Sequence, residues 1–279
     1  MESKIKVSII IPVYNGEKFI RKTISSCLNQ TVYEQIEVIV IDDCSSDKSL
    51  EILEEFGNKI RFFKNEKNKG IIHSVNRGLD LAKGEFSMFL GHDDLLVSDH
   101  VEKILSEFDK DTSIVFCDSS LINAADKVIQ ESSIIKGVET MLQNPFYFLI
   151  KTNFINVCGL LFRTQYAIKV GKFNAQYRHF GEWDMWIKLG ALGKIKFSKK
   201  VKSFYRRHDT NITNKLMVED MPKDLFVYYQ NCRKLSFSKG DFTFKQKIYL
   251  YSLMTYFRLS FYKRHIYFKI LKFFRKEKN

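Results

Sequence analysis

Paired carboxylates at the ends of apolar runs are the first chemistry this sequence offers. Asp42-Asp43 follows Glu37 to Ile41 (EVIVI), and Asp93-Asp94 comes directly after the stretch that begins with Phe86 to Leu90. Asp42 or Asp43 can accept hydrogen bonds from a nucleobase N–H or from ribose hydroxyls, with Tyr14 as a stacking surface. An Asx turn capping the next helix would use the same residues more plainly. Asp93-Asp94 is a sharper signal, because hard carboxylate oxygens suit Mg2+ or Mn2+ shared with substrate phosphates. A solvated helix cap is its competing reading. His208, closing Tyr205-Arg206-Arg207-His208, reads by itself as a surface histidine in a basic strand.

The elements that must position these residues follow from periodicity. Val7 to Val13 (VSIIIPV) is a β-branched run of the kind buried on both faces of a parallel sheet, and it stops at the turn Tyr14-Asn15-Gly16. A helical pattern over 17–30 leads to the second buried run, which ends in the acidic turn 42–47. A helix over 48–56, a strand over 60–64, a helix over 71–82 and a strand over 86–90 continue the rhythm. Strand and helix in alternation mean right-handed crossovers and a parallel sheet, with ligands beyond the carboxyl ends of its strands. The polar clusters all fall at that edge. The middle is less regular, with strands expected over 114–117, 158–163 and 194–205, a turn over 124–127 before Val128-Ile129, helices over 164–170 and 183–192, and an apolar aromatic stretch over 146–154.

Composition narrows the function classes. The 279 residues carry a formal charge of +13, yet residues 1–200 hold 27 basic and 26 acidic side chains while residues 201–279 hold 18 and 6. A near-neutral body with a cationic C-terminal part argues against a uniformly basic nucleic-acid-coating protein. Five scattered cysteines without a C-x-x-C pair indicate neither a disulfide framework nor a thiolate zinc site, and fit a reducing cytosol. No signal-peptide pattern opens the chain, and no apolar run approaches the roughly 20 residues that span a bilayer. G-x-G-x-x-G after the first strand and G-x-x-x-x-G-K-[ST] are both missing, which sets aside dinucleotide oxidoreductases and P-loop NTPases. The glycine-rich basic loop of sugar-nucleotide pyrophosphorylases is missing as well.

Four motifs in order, V-S-I-I-I-P-V-Y-N-G, V-I-D-D-x-S-x-D, N-x-G-x-x-x-x-x-N-x-G (Asn68, Gly70, Asn76, Gly78) and A-K-G-E-F-x-x-F-L-x-x-D-D, resemble family 2 glycosyltransferases. The resemblance is strong over residues 5–125 and continues through Trp183-Asp184-Met185-Trp186 and Tyr205-Arg206-Arg207-His208. It implies a GT-A fold: an α/β domain over 1–214 with a mostly parallel central sheet flanked by helices, its nucleotide-binding half over 1–120 and its acceptor half over 121–214. Residues 215–279 carry no family signature and are expected to form a basic, aromatic helical extension.

By position, the resemblance makes Pro12, Tyr14, Asn15, Asp42, Asp43, Asn68, Gly70, Asn76, Asp93 and His208 donor-binding residues. It makes Asp93, Asp94 and His208 the residues toward a Mn2+ or Mg2+ cofactor. Glu182 stands where the family usually has its aspartate base, with Asp184 as the fallback catalytic carboxylate. Gly91 departs from the pattern, standing where the family usually has the first aspartate of its D-x-D. The implied reaction is inverting transfer of a sugar from a nucleotide-diphosphate donor, a UDP-sugar being favoured, to a hydroxyl of a glycan or polyprenyl-linked acceptor in surface polysaccharide synthesis. Without Q-x-x-R-W the transfer is expected to be non-processive. A GT-A body that binds nucleotide sugar without turnover is the alternative, and nucleic-acid binding through the basic tail leaves the first 120 residues unexplained.

The C-terminal segment is read from its physics. Residues 241–279 hold ten Lys or Arg and 12 of the 40 aromatics, and Ile266, Ile270 and Phe273 share a helical face beside Lys269, Lys272 and Lys276. Such a helix can lie among anionic headgroups. The expected location is cytoplasmic, peripheral at the inner face of the plasma membrane; packing of 249–274 on the body is the alternative.

Overall fold

The computed structural model describes residues 5–177, 181–209, 211 and 223–259. All seven residues of β1 (Val7–Val13) are buried, so the strand has no solvent face and takes an interior place in the sheet. Ile9, Ile11 and Val13 point into one apolar layer with Ile20, Ile24 and Cys27 of α1 (Ile20–Leu28). Ile10 points into the opposite layer. β2 (Ile36–Asp42) is likewise buried throughout, and α2 (Ser49–Glu54), β3 (Arg61–Lys64), α3 (Ile71–Leu81) and β4 (Phe86–Phe89) complete the first half. Ile72, Val75 and Leu79 of α3 cover the Ile10 face, so the sheet is sandwiched between helices. β1 runs parallel to β2 and β4, and β2 parallel to β3, as the alternation predicts.

The second half is mixed rather than parallel. β5 (Leu95–Leu96) and α4 (His100–Leu105) precede β6 (Thr112–Ile122) and the short β7 (Val128–Gln130). After α5 (Val138–Gln143) and α6 (Pro145–Leu149) come β8 (Leu161–Arg163), α7 (Thr164–Lys169), α8 (Gly181–Gly190) and β9 (Lys194–Arg206). The sheet order is β3-β2-β1-β4-β8-β6-β9-β5, with β7 on β6. β8 is antiparallel to both β4 and β6, whereas β6 and β9 are parallel. One continuous sheet thus joins the two halves.

Two differences from the expected elements have physical causes. β6 extends well past Cys117 although Asp118, Ser119 and Ser120 are polar, because their groups are satisfied inside: Asp118 Oδ1 accepts from the amides of Ser119, Ser133 and Ile134, and the Ser119 and Ser203 hydroxyls lie 2.6 Å apart. β8 is shorter than 158–163, because Gly159 has φ 77° and its carbonyl lies 2.6 Å from His100 Nε2.

At the C-terminal end α9 (Lys223–Lys239) docks on the body. The Ser236 hydroxyl donates to the Phe146 carbonyl at 2.6 Å, Arg233 Nε to the Ile150 carbonyl at 3.0 Å, and Cys232 is buried in the core that holds Trp183 and Trp186. A further helix over 244–259 packs beside it, so the extension is helical as far as it is described. The amphipathic helix expected over 266–274 lies outside the described residues.

Candidate active site

The loops after β1 and β2 are zipped together by their own short side chains. The Asn15 amide N–H donates to Ser45 Oγ (2.9 Å), Gly16 N–H to Ser49 Oγ (2.8 Å) and Glu17 N–H to Asp47 Oδ2 (3.0 Å). In return, Ser46 N–H donates to Asn15 Oδ1 (2.9 Å) and Lys48 N–H to Glu17 Oε2 (3.1 Å). Such reciprocal bonds fix irregular backbone as firmly as a strand ladder would. Pro12 lies buried beneath this platform, and Tyr14 stands on it half exposed. Asp42 is buried at the end of β2, accepting the Ser45 N–H at 3.1 Å.

Several predicted donor residues have their polar atoms committed to the fold. Asp43 accepts from Asn65 Nδ2 (2.7 Å), Lys69 N (2.9 Å) and Gly70 N (2.7 Å), which pins the loop leading into α3. Gly70 turns that loop at φ 87°, a conformation that costs a side-chain-bearing residue energy, while Asn68 is exposed on the loop. Asn76 Nδ2 donates to the Phe173 carbonyl (2.7 Å) and Asn76 Oδ1 accepts the Phe173 N–H (3.0 Å). Asn15 and Asp43 therefore shape the platform, and Asn76 clamps α3 to the segment leading toward α8.

At the opposite wall the chain brings distant residues together. Asp93 Oδ2 lies 2.8 Å from His208 Nε2 and accepts from Asn211 Nδ2 at 3.1 Å. The His208 ring leans on Phe19 at 4.9 Å between centroids. Beneath them Arg206 is fully buried: Nε donates to the Asp93 carbonyl (2.7 Å), Nη1 to the Asn123 carbonyl (2.8 Å), and Nη1 pairs with Asp126 at 2.5 Å. Its guanidinium also lies 4.7 Å from the Phe19 ring centre. Asp94, expected beside Asp93 as a metal carboxylate, is turned into the interior. Its Oδ1 accepts the Arg206 N–H at 3.0 Å, and burial, reinforced by the Asp93 charge, pushes its carboxyl well above the usual carboxylate range. Asp94 thus acts as a strut between the turn and β9.

The two candidate bases lie in the first turn of α8. Glu182 is half-buried, forms no ion pair or hydrogen bond with another side chain among the described residues, and has its carboxyl raised by desolvation to about 7. Asp184 is buried and paired with Lys188 one turn on at 2.6 Å. The two candidate bases are thereby separated by environment: Glu182 has no side-chain partner among the described residues, whereas Asp184 is held in an ion pair. Trp183 and Trp186 are core residues, with Trp186 6.0 Å from the Phe173 ring and 6.1 Å from that of Phe162.

Residues 8–169 match the family model described as glycosyl transferase family 2. The chain belongs to glycosyltransferase family 2. An uncharacterised glycosyltransferase of Rickettsia typhi is 33% identical over 211 residues, covering 75% of this chain and 66% of the relative. Chondroitin synthase of Escherichia coli is 32% identical over 200 residues, covering 70% of this chain but 28% of the synthase. Several relatives are thus considerably longer than the stretch they share with this glycosyltransferase. Among solved structures, S. aureus TarS in complex with UDP-GlcNAc aligns with a TM-score of 0.70 at 20% identity, covering 92% of this chain and 73% of TarS. The mannosyltransferase PcManGT of Pyrobaculum calidifontis, solved with GDP-Man and Mn2+, aligns with a TM-score of 0.59 at 12% identity, covering 95% of this chain and 88% of that one. The glycosyltransferase therefore has the GT-A fold the motifs implied.

Whether its residues suit a divalent cation turns on Asp93. Among the described residues no cluster of three or more His, Cys, Asp and Glu side chains is positioned to hold a metal. Asp93 Oδ1 accepts no hydrogen bond among those residues, while Oδ2 is held by His208 and Asn211. One free carboxylate oxygen beside a histidine suits a hard cation that takes its remaining ligands from substrate phosphates and water. The set fits a cation shared with the donor and does not make a closed protein site.

Arg206, Asn211 and Phe19 are the residues to which sequence reasoning assigned no role. Arg206 was visible only as one of two arginines before His208, and spacing does not say which of them faces inward.

Proposed function

We propose that this glycosyltransferase moves one sugar per encounter from a nucleotide-diphosphate donor, a UDP-sugar above all, to an acceptor hydroxyl with inversion. The observation that carries this reading is the meeting of Asp93 with His208 across the end of the sheet, opposite the Tyr14–Asp42 platform. Tyr14 offers a face to the base, and Asp42 acceptor oxygens to the base or ribose. Asp93 and His208 are the residues that would hold a divalent cation, which supplies stabilisation of charge on the leaving diphosphate.

Glu182 takes the proton from the acceptor hydroxyl as that oxygen attacks the anomeric carbon. A carboxyl at about 7 is poised to do this near neutral pH, being basic enough to accept the proton and still ionised in a large fraction of molecules. Attack from one face with departure from the other, and no protein nucleophile, inverts the centre. Asp184, tied to Lys188, is less suited to the task.

The likeness to chondroitin synthase supports polysaccharide synthesis as the setting, and the nucleotides held by TarS and PcManGT support a nucleotide-sugar donor. The acceptor is a glycan or polyprenyl-linked hydroxyl. Such an acceptor would draw the enzyme to the cytoplasmic face of the plasma membrane, a contact for which the basic 241–279 segment is suited. No helix among the described residues is long and apolar enough to cross a membrane.

Calorimetric titration with UDP, GDP and TDP, each with and without Mn2+, tests the reading. One nucleotide should bind, and bind more tightly with the metal. No binding of any of the three would overturn the donor site and favour a GT-A body without turnover.

A further inference from the structure

The helix over 244–259 has two apolar faces, and the body covers one of them. Leu250 and Phe242, which precedes the helix, are buried with Ile150, with Phe146, Tyr147, Phe237 and Met254 packed around them. The other face carries Phe244, Ile248, Tyr251 and Leu259, which recur at the spacing of one helical stripe, with Tyr249 and Tyr256 at its edge. These six side chains are between 49% and 78% exposed. Six apolar or aromatic side chains exposed on one helix are more than the scattered apolar residues a protein surface ordinarily shows.

Charge indicates what covers it. Between Asp241 and Glu277 the sequence contains no carboxylate and nine Lys or Arg, among them Lys245, Lys247 and Arg258 on this helix. A second copy docked face to face would bring these cations together with no acid to compensate. The remainder of the chain, 260–279, is cationic too and offers them only Glu277. A single-stranded nucleic acid has no use for the aliphatic Ile248 and Leu259 within the stripe and at its end, since its bases stack on aromatic or guanidinium planes. An anionic lipid surface matches both features: acyl chains for Phe244, Ile248 and Leu259, headgroup phosphates for the cations, and the interfacial layer for the tyrosines.

We propose that the outer face of the 244–259 helix lies flat in the headgroup region of an anionic membrane. Through α9, whose Arg233 guanidinium lies 5.5 Å from the Trp183 ring, this face connects to the helix that carries Glu182. This surface deepens and rests on the membrane contact proposed above for 241–279, and it is independent of the donor site.

The experiment is flotation of the full chain with vesicles of phosphatidylglycerol and phosphatidylcholine, beside vesicles of phosphatidylcholine alone. The parent protein should float with the anionic vesicles, and do so less at high salt. The variant carrying F244S, I248S and L259S should keep the parent's melting temperature, because all three side chains are exposed, and lose at least about tenfold in vesicle partitioning. K245E with K247E should lose partitioning to the anionic vesicles alone. UDP titration of the same variants should be unchanged, so that failure of the surface is distinguishable from failure of the donor site. The proposal is overturned if the triple variant floats like the parent, or if the parent ignores anionic vesicles. It is equally overturned if light scattering finds a dimer that the triple variant dissolves, or if single-stranded oligonucleotide binding is what that variant loses.

Discussion

Asp93 and His208 stand 115 positions apart in the chain and meet with 2.8 Å between Oδ2 and Nε2. The contact is built from both sides, since Asn211 donates to the same carboxylate oxygen and to the Arg206 carbonyl. Asp93→Asn and His208→Ala should each lower kcat by about a hundredfold to a thousandfold, the size of losing one preorganised electrostatic contact to a developing charge. In both variants nucleotide binding should lose its response to Mn2+. Calorimetry with and without the metal checks this, and undiminished metal enhancement in both variants would remove the pair from the site.

Arg206 ties two separate turns to β9 through three acceptors: the Asp93 carbonyl on one, the Asn123 carbonyl and the Asp126 carboxylate on the other. Breaking a fully buried ion pair costs about 3–5 kcal/mol. Asp126 keeps 34% of its side chain exposed and retains Lys22 as a partner, so Arg206→Met should fall below that range, at about 2–3 kcal/mol. A drop in melting temperature of about 5–10 °C is expected for a chain of this size. Arg206→Lys should be intermediate, because an ammonium cannot span all three acceptors at once. Thermal melts of the two variants decide the matter, and a melting temperature equal to the parent's for Arg206→Met would show that the guanidinium ties nothing together.

The difference between what the sequence discloses and what it hides follows from the kind of interaction involved. β1 and β2 are readable because burial on both faces demands unbroken apolar runs, and β6 is under-read past Cys117 because its polar residues are satisfied by partners more than ten positions away. The same holds at the site. Asp93, His208 and Glu182 lie within local motifs, whereas the tasks of Arg206 and Asn211 arise only when β9 returns beside β5 and β6. Asp43 and Asn76 show the converse. Their motif positions are plain, but the loop amides of Lys69 and Gly70 and the backbone of Phe173 that occupy them come from tertiary structure. The tail is legible as a basic, aromatic helical segment, but which apolar face of the 244–259 helix the body covers is fixed only by its packing on Ile150 and Phe146.

Gly91 stands where an aspartate is usual in the family, and the turn explains why a side chain is unwelcome there. A Cβ on Gly91 would come within 2.9 Å of both Asp93 Oδ1 and Asp94 Oδ2. Asp94 cannot easily yield, being buried and bonded to the Arg206 N–H. Gly91→Asp should therefore reduce rather than restore activity, by displacing the Asp93 carboxylate and crowding a further carboxyl against Asp93 and Asp94. Gly91→Ala should show the steric part by itself, with a loss of about 1–2 kcal/mol in stability from crowding. Activity in Gly91→Asp above that of the parent would mean that the turn opens freely and that this account of Gly91 is wrong.

With Glu182 as the proposed base, the reaction is connected to pH. Its carboxyl is raised by burial from the ordinary 4.5 to about 7, and the base must be ionised to accept a proton. kcat/KM should rise with pH along a limb centred near 7 and level off above it. The same shift has a consequence for stability. The folded protein holds the Glu182 proton more tightly than the unfolded chain, so the contribution is fully present below 4.5 and is lost as pH rises toward about 7. Glu182→Gln removes both effects together: turnover should fall at least about a hundredfold at every pH, the size of losing a general base. Stability should become flatter between pH 4.5 and about 7, while UDP affinity is unchanged. A rate limb that stays near 7 in the glutamine variant, or turnover close to the parent's, would place the base elsewhere. A limb centred near 4.5 in the parent would show instead that binding of the substrates rehydrates or neutralises the environment of Glu182, and that its burial in the free enzyme does not set the working pH.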